Sequence, residues 1–417
     1  MQPDRRTQVL NTTTAHGIEG TIRIRVSVDS ARITAVQVES SRRTNACHIL
    51  EGRPFEEALQ AMPLLFSVCG VAQAGAAVAA CEQARGIAAG ARERARRRIL
   101  VGAEMVQEHA GQLLMDWPVQ FLAAPRQIED LVVVRRHVSG LWHALGNRIQ
   151  LSARECAPLD LAGADQQLSC LEAALARSIF GMPATAWMQI RDYAMLQEWW
   201  RRTPTTAAHT LQAVADGGLA DLGRSGVGNL PPIAAEALCE ILDGAQAERF
   251  SACPTWNGET WETGPLARQT GRQLVSELRR RHGNGLMTRL VARLTELAVL
   301  SRRMRRYLRV MRGGGAGWIV SGDEDASAVQ SGTGIVETAR GRLVHRVRLR
   351  NGVVERYRIV APTEWNFHPD GPLVCAIRAL PAAGAAELRR HVAMLVMALD
   401  PCVAHEIIVE PALAEDT

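Results

Sequence analysis

Apolar and polar residues alternate near the start of the chain. Ile22, Ile24, Val26 and Val28 fall on one side, and Arg23, Arg25 and Ser27 on the other. A period of two predicts a half-buried strand. Asp29-Ser30 turns the chain, and Ile33 to Val38 returns as a second strand. A matching pair lies near the other end, where Leu343 to Leu349 and Val353 to Val360 flank Asn351-Gly352. That dipeptide favours the left-handed turn of a two-residue hairpin.

The long middle follows helical spacing instead. Met287, Leu290, Leu294, Leu297, Met304, Leu308 and Met311 make one apolar stripe along Leu286 to Arg312, and Gly313-Gly314-Gly315 ends it. Its arginines, from Arg289 and Arg293 on to Arg312, are expected to cover the remaining surface. Arg85 to Val106, Gln167 to Phe180 and Ile233 to Leu242 read as further helices. Ala61 to Cys81 has no charge and is long enough for a membrane span, but it is built from Ala, Gly and Val around Pro63, Gly70 and Gly75. Side chains that small suit a helix packed on all sides within a core, so no membrane insertion is expected. The Gly- and Pro-rich stretch 217–232 reads as a linker or a long surface loop.

Composition narrows the chemistry. The 417 residues are 47% apolar and 22% charged, enough to bury a large core. All 48 basic residues are arginine, which excludes a Walker-A phosphate loop, a pyridoxal Schiff base and a kinase-type strand lysine. The arginine runs are interleaved with Glu93, Glu104, Glu108 and Glu296, and only 4% of residues are aromatic. Solvated helix faces with local ion pairs are therefore expected, and no nucleic-acid partner. Nine scattered cysteines include no C-x-x-C pair. Zinc ribbons and thioredoxin-type motifs are disfavoured, and a reduced cytoplasmic setting fits. Arg5-Arg6 is followed by Asn11-Thr12-Thr13-Thr14 rather than an apolar core, so it does not read as an export signal.

Two cysteines stand apart by context. Cys69 lies in Val68-Cys69-Gly70-Val71 at the mouth of the Ala/Gly-rich helix, where the helix dipole is expected to favour its thiolate. Cys402 follows Asp400-Pro401, with His405 three residues on; the two could share a turn or a helix face as metal ligands.

The order of several short segments is more specific. Gly17-Ile18-Glu19-Gly20 resembles R-I-E-G-H, and Gly52-Arg53-Pro54 then Cys69-Gly70-Val71 resembles the approach to R-I-C-G-V-C. Glu262 to Arg268 reads E-T-G-P-L-A-R. Glu337-Thr338-Ala339-Arg340-Gly341, His345 and Pro362-Thr363-Glu364-Trp365-Asn366 follow E-A-P-R-G-x-L-x-H and P-T-x-W-N. Asp400-Pro401-Cys402 matches the opening of D-P-C-x-x-C-x-x-H. In this order and over about half the chain, these segments resemble the large subunit of nickel–iron hydrogenases.

The resemblance implies an α+β, mainly α fold: a long-helix bundle with small β hairpin units at both ends. It would form a single domain over 1–417, with a hairpin in 1–45, a helical core over 60–312, a second hairpin in 335–366 and a metal-motif segment over 385–417. Cys69 and Cys402 would meet. In the family, four cysteines hold the nickel–iron centre, and here the second cysteine of each pair is replaced, by Ala72 and by His405. Ser67 replaces the arginine of R-I-C-G-V-C, Ala76 a nearby histidine, and Ile408 the final histidine that marks the site of tail cleavage. A nickel–iron centre cannot be held in the family's geometry, and the chain is expected to keep its C-terminus.

What remains resembles the pocket around iron's small ligands. Arg340, Pro362 and Thr363 match the residues that contact the cyanides, and Glu19 matches a proton-relay carboxylate. The pattern looks like the HupK/HoxV type of hydrogenase assembly protein. It implies a non-catalytic scaffold that transiently holds an Fe(CN)2CO unit without nickel, with Cys69 and Cys402 as ligands and His405 as either a third ligand or a proton acceptor. The partners implied are HypC- and HypD-like maturation proteins and the target large subunit. A divergent hydrogenase and a metal-free relative of the complex I type are the alternatives.

Overall fold

A computed structural model describes residues 20–29, 32–66, 68–151, 158–313, 319–320, 330–381 and 383–411. The opening alternation forms β1 (Thr21–Asp29), which pairs antiparallel with β2 (Arg32–Ser40). Ile22, Ile24 and Val26 are buried on the inner face, as the period of two requires. A third strand completes this sheet: Ala404–Pro411, from the far end of the chain, lies parallel to β1 with Thr21 opposite Ala404. The His405 segment is therefore a strand and not a helical face. Extended backbone there satisfies the free edge of β1.

The expected second hairpin is also larger than two strands. Gly341–Arg350 and Val353–Val360 flank Asn351 and Gly352, both at positive φ, but Gln330–Thr338 pairs with the outer side of Gly341–Arg350. Glycines and alternating small residues hid that strand.

Ala61 to Cys81 is not one helix. It divides into α1 (Phe55–Leu65) and α2 (Gly70–Ala84), with Cys69 in the break. Arg85 to Val106 likewise starts in a turn, and the helix there is α3 (Ala91–Gly111). The small side chains of α2 have a clear use. The strand Gln330–Thr338 lies directly against it, and a Cβ on Gly334 would overlap the Ala76 carbonyl, while one on Gly332 would overlap that of Ala80. Replacing Gly334 by valine should destabilise the fold by about 3 kcal/mol or more, because rigid backbone lies on both sides. Chemical denaturation checks this, and a shift below about 1 kcal/mol would contradict the close packing.

The long helix runs over Leu286–Arg312 as its spacing predicts, but its first half is buried all round. Arg289 pairs with Glu262 at 2.7 Å and Arg293 with Asp400 at 3.2 Å, each with side chains almost wholly buried or nearly so. These arginines and Glu296 are interior groups, contrary to the expected solvated face. The stretch 217–232 is not a linker. Leu222 and Leu230 are buried, and the carbonyls of Ala220 and Leu222 accept the N–H groups of Met287 and Leu286 at the start of the long helix. Among the described residues, no helix is long and apolar enough to cross a membrane.

Candidate functional site

Segments far apart in sequence interlock before they form a cavity. Thr263 donates its backbone N–H to Asn366 Oδ1 at 2.9 Å, and Asn366 Nδ2 donates back to the Thr263 carbonyl at 3.0 Å. Gly264, at φ 130°, lets the chain pass within reach of the Arg340 carbonyl, which a Cβ would crowd at 3.0 Å. Arg268 donates to the carbonyl of Thr338 at 2.9 Å, two residues before Arg340. The E-T-G-P-L-A-R, T-A-R-G and P-T-E-W-N segments thus hold each other in place through hydrogen bonds between side chains and main-chain groups.

A cavity of about 30 Å³ opens where they meet, lined by Cys69, Cys402, Arg340, Pro362, Arg42 and Gln73 among others. That volume suits about two waters. Cys69 caps the start of α2, but its thiol gains little from the helix dipole. The Glu104 carboxylate takes the first free N–H groups, accepting from Val71 at 2.8 Å and Ala72 at 2.9 Å. Burial, then the charges of Cys402 and Glu104, push the Cys69 thiol up to about 12. The expected thiolate is therefore a thiol at neutral pH. Burial also raises the Glu104 carboxyl to about 7, against the pull of its two N–H donors.

Cys402 has a different surrounding. Arg42 Nη1 lies 2.6 Å from its sulfur, and the Thr363 hydroxyl 3.1 Å away. Arg42 is held in turn by Glu364 at 3.1 Å. Burial works against the Arg42 charge, but Glu364 and Cys402 outweigh it and keep its pKa above the ordinary value.

Arg340 lines the same cavity. It pairs with Glu108 at 2.9 Å and Asp400 at 3.5 Å. Burial opposes its charge, and Asp400 and Glu108 more than restore it. Among the described residues, its Nε is buried without a hydrogen-bond partner. An unpaired buried N–H is costly, so this donor has capacity for an acceptor.

The structure thus gathers Cys69, Cys402, Arg340 and Pro362. Thr363 is adjacent, but its hydroxyl is engaged with the Cys402 sulfur. His405 does not join them as a third ligand: it is on the closing strand, opposite Ile22 and exposed. Among the described residues, no three His, Cys, Asp or Glu side chains are grouped to hold a metal ion. Glu19 lies outside the described residues. Arg42, Glu104, Glu108 and Asp400 carry much of the site's electrostatics; Arg42 is not singled out from the sequence, and Glu104, expected on a solvated helix face, is buried. The spacing of Glu104 and Glu108 on α3 puts both on one helix face, a signal hidden within an Arg-rich helix.

Comparison with known proteins adds an independent finding. Residues 228–406 match the family model described as nickel-dependent hydrogenase. The chain is 31% identical to the hydrogenase expression/formation protein HupK of Azotobacter vinelandii, covering 93% of this chain and 98% of that protein. It is 29% identical to the hydrogenase expression/formation protein HoxV of Cupriavidus necator, covering 89% and 92% respectively. Among solved structures, the Ni-Fe-Se hydrogenase from D. vulgaris Hildenborough shares its fold, with a TM-score of 0.65 at 18% identity over 90% of this chain and 94% of that one.

Proposed function

Because this chain belongs to the family of HupK- and HoxV-type hydrogenase expression/formation proteins, we propose that it is a non-catalytic maturation scaffold whose cargo is an Fe(CN)2CO fragment. Cys69 and Cys402 bind the iron, and the fragment passes from HypC- and HypD-like proteins through this chain to the catalytic large subunit. One observation carries the reading: two thiol-bearing side chains line the same cavity as Arg340, whose buried Nε lacks a partner among the described residues. An anionic cyanide nitrogen is a fitting acceptor for that N–H.

The residues also account for a hold that can be released. Ala72 offers no ligand atom, so the second thiolate of the opening pair is missing. Two thiolates bind less permanently than a four-cysteine cage, which suits a carrier. Iron binding at Cys69 breaks the S–H bond, forms Fe–S and releases a proton. The cavity is small for the whole fragment, so loading requires the Arg42 guanidinium to withdraw from the Cys402 sulfur.

The test is infrared spectroscopy with metal analysis on protein purified without oxygen from cells that make hydrogenase. Iron below one per chain, with cyanide and carbon monoxide bands and no nickel, is the expected result. Stoichiometric nickel, or iron without those bands, would refute it.

A further inference from the structure

Cys69 has a further neighbour in Gln73, which lines the same cavity and leads to two buried residues beyond it. Gln73 Nε2 lies 3.5 Å from its sulfur, and Gln73 Oε1 lies 2.8 Å from His345 Nε2. His345 Nδ1 lies 2.9 Å from the Tyr357 hydroxyl. Gln73, His345 and Tyr357 are all buried, and burial holds His345 far below its ordinary range, hence neutral.

Each link in this chain can run in either direction, because an amide, a neutral imidazole and a hydroxyl each both donate and accept. The far end chooses. Among the described residues, the Tyr357 hydroxyl has His345 Nδ1 as its hydrogen-bond partner. If His345 donated from Nδ1, the phenolic hydrogen would be left buried and unpaired, which is costly. Tyr357 therefore donates to Nδ1, the imidazole proton sits on Nε2 and faces Gln73 Oε1, and the amide turns its N–H towards Cys69.

We infer that Tyr357 and His345 are positioning residues that lock the Gln73 amide with its N–H aimed at the Cys69 sulfur, so that this ligand is met by a donor whichever group it carries. The arrangement deepens the scaffold reading, since a donor to a metal-bound sulfur weakens its electron donation and eases release. It is nevertheless a property of the chain without cargo and can be tested there.

Two measurements on metal-free, reduced, full-length protein decide it. Nitrogen NMR on histidine-labelled protein reads the tautomer of His345, assigned by loss of its signals in His345→Gln. The proton is expected on Nε2, and a proton on Nδ1 would overturn the inference. The second is alkylation by iodoacetamide at mildly alkaline pH, with Cys69 and Cys402 followed separately by peptide mass spectrometry. Tyr357→Phe removes the end that sets direction. Losing one hydrogen bond to a thiolate lowers its population about tenfold, and the higher intrinsic nucleophilicity returns part of this, so Cys69 should react roughly threefold more slowly. Cys402 should be unchanged. His345→Gln keeps an acceptor for Tyr357 and a donor for Gln73, and should react at the parent rate. Equal Cys69 rates in the parent and Tyr357→Phe would contradict the inference, as would equal slowing at both cysteines. If iron cargo proves absent while these results hold, the scaffold reading falls and the positioning chain stands.

Discussion

Cys402→Ala and Cys69→Ala proteins should each purify without the cyanide and carbon monoxide infrared bands, with iron retention reduced about 100-fold or more. A carrier with two thiolates has no reserve, because one remaining sulfur cannot chelate. The two losses differ in their structural cost. Removing the Cys402 sulfur takes a partner from both Arg42 and Thr363. Removing Cys69 frees only the weak contact from Gln73. Each change should lower stability by no more than about 2 kcal/mol, so far-ultraviolet circular dichroism and cooperative unfolding should be retained. Full cargo in either variant would mean that the sulfurs are not its ligands. Cells carrying either variant should make less active hydrogenase and lose no separate activity.

The largest stability effect is expected from Glu296→Gln, at about 3–5 kcal/mol, read by denaturant unfolding. Glu296 is wholly buried on the long helix and accepts from both ends of the Arg268 guanidinium at 2.6 Å, from Gln269 at 3.2 Å, and sits 3.1 Å from His109 Nε2. Burial opposes its charge, but Arg268 and then His109 hold the carboxyl well below its ordinary value of 4.5. A group depressed on folding contributes stability that is fully present above its unfolded value. Stability from Glu296 is therefore intact above about pH 4.5 and falls progressively as the pH drops below it. The glutamine variant should show a flatter decline in that acid range. An equally steep decline would assign acid unfolding to other groups. Because Arg268 also holds the main chain beside Arg340, the variant should weaken cargo retention even where it remains folded.

Much of the architecture was legible in local pattern. Period two marks β1 and its partner because one face meets the core and the other meets water. Asn351-Gly352 marks a hairpin because both residues accept positive φ. The apolar stripe bounds the long helix at Leu286 and Arg312. Burial of charge was not legible in the same way. Arg289, Arg293 and Glu296 have the spacing of surface residues, and their partners, Glu262, Asp400 and Arg268, lie at sequence distances no helical period reports.

The chain's own letters determine the inventory of chemistry: two isolated thiols in family motifs, no second cysteine beside either, no lysine, and an arginine in T-A-R-G. Those are properties of side chains and survive any fold. Protonation, pairing and access are decided only by the tertiary structure. It turns the Cys69 helix end over to Glu104, puts Arg42 on the Cys402 sulfur, and carries His405 onto an exposed strand position. The reason is that a thiol's charge depends on the field and water around it, and residues hundreds of positions away supply both.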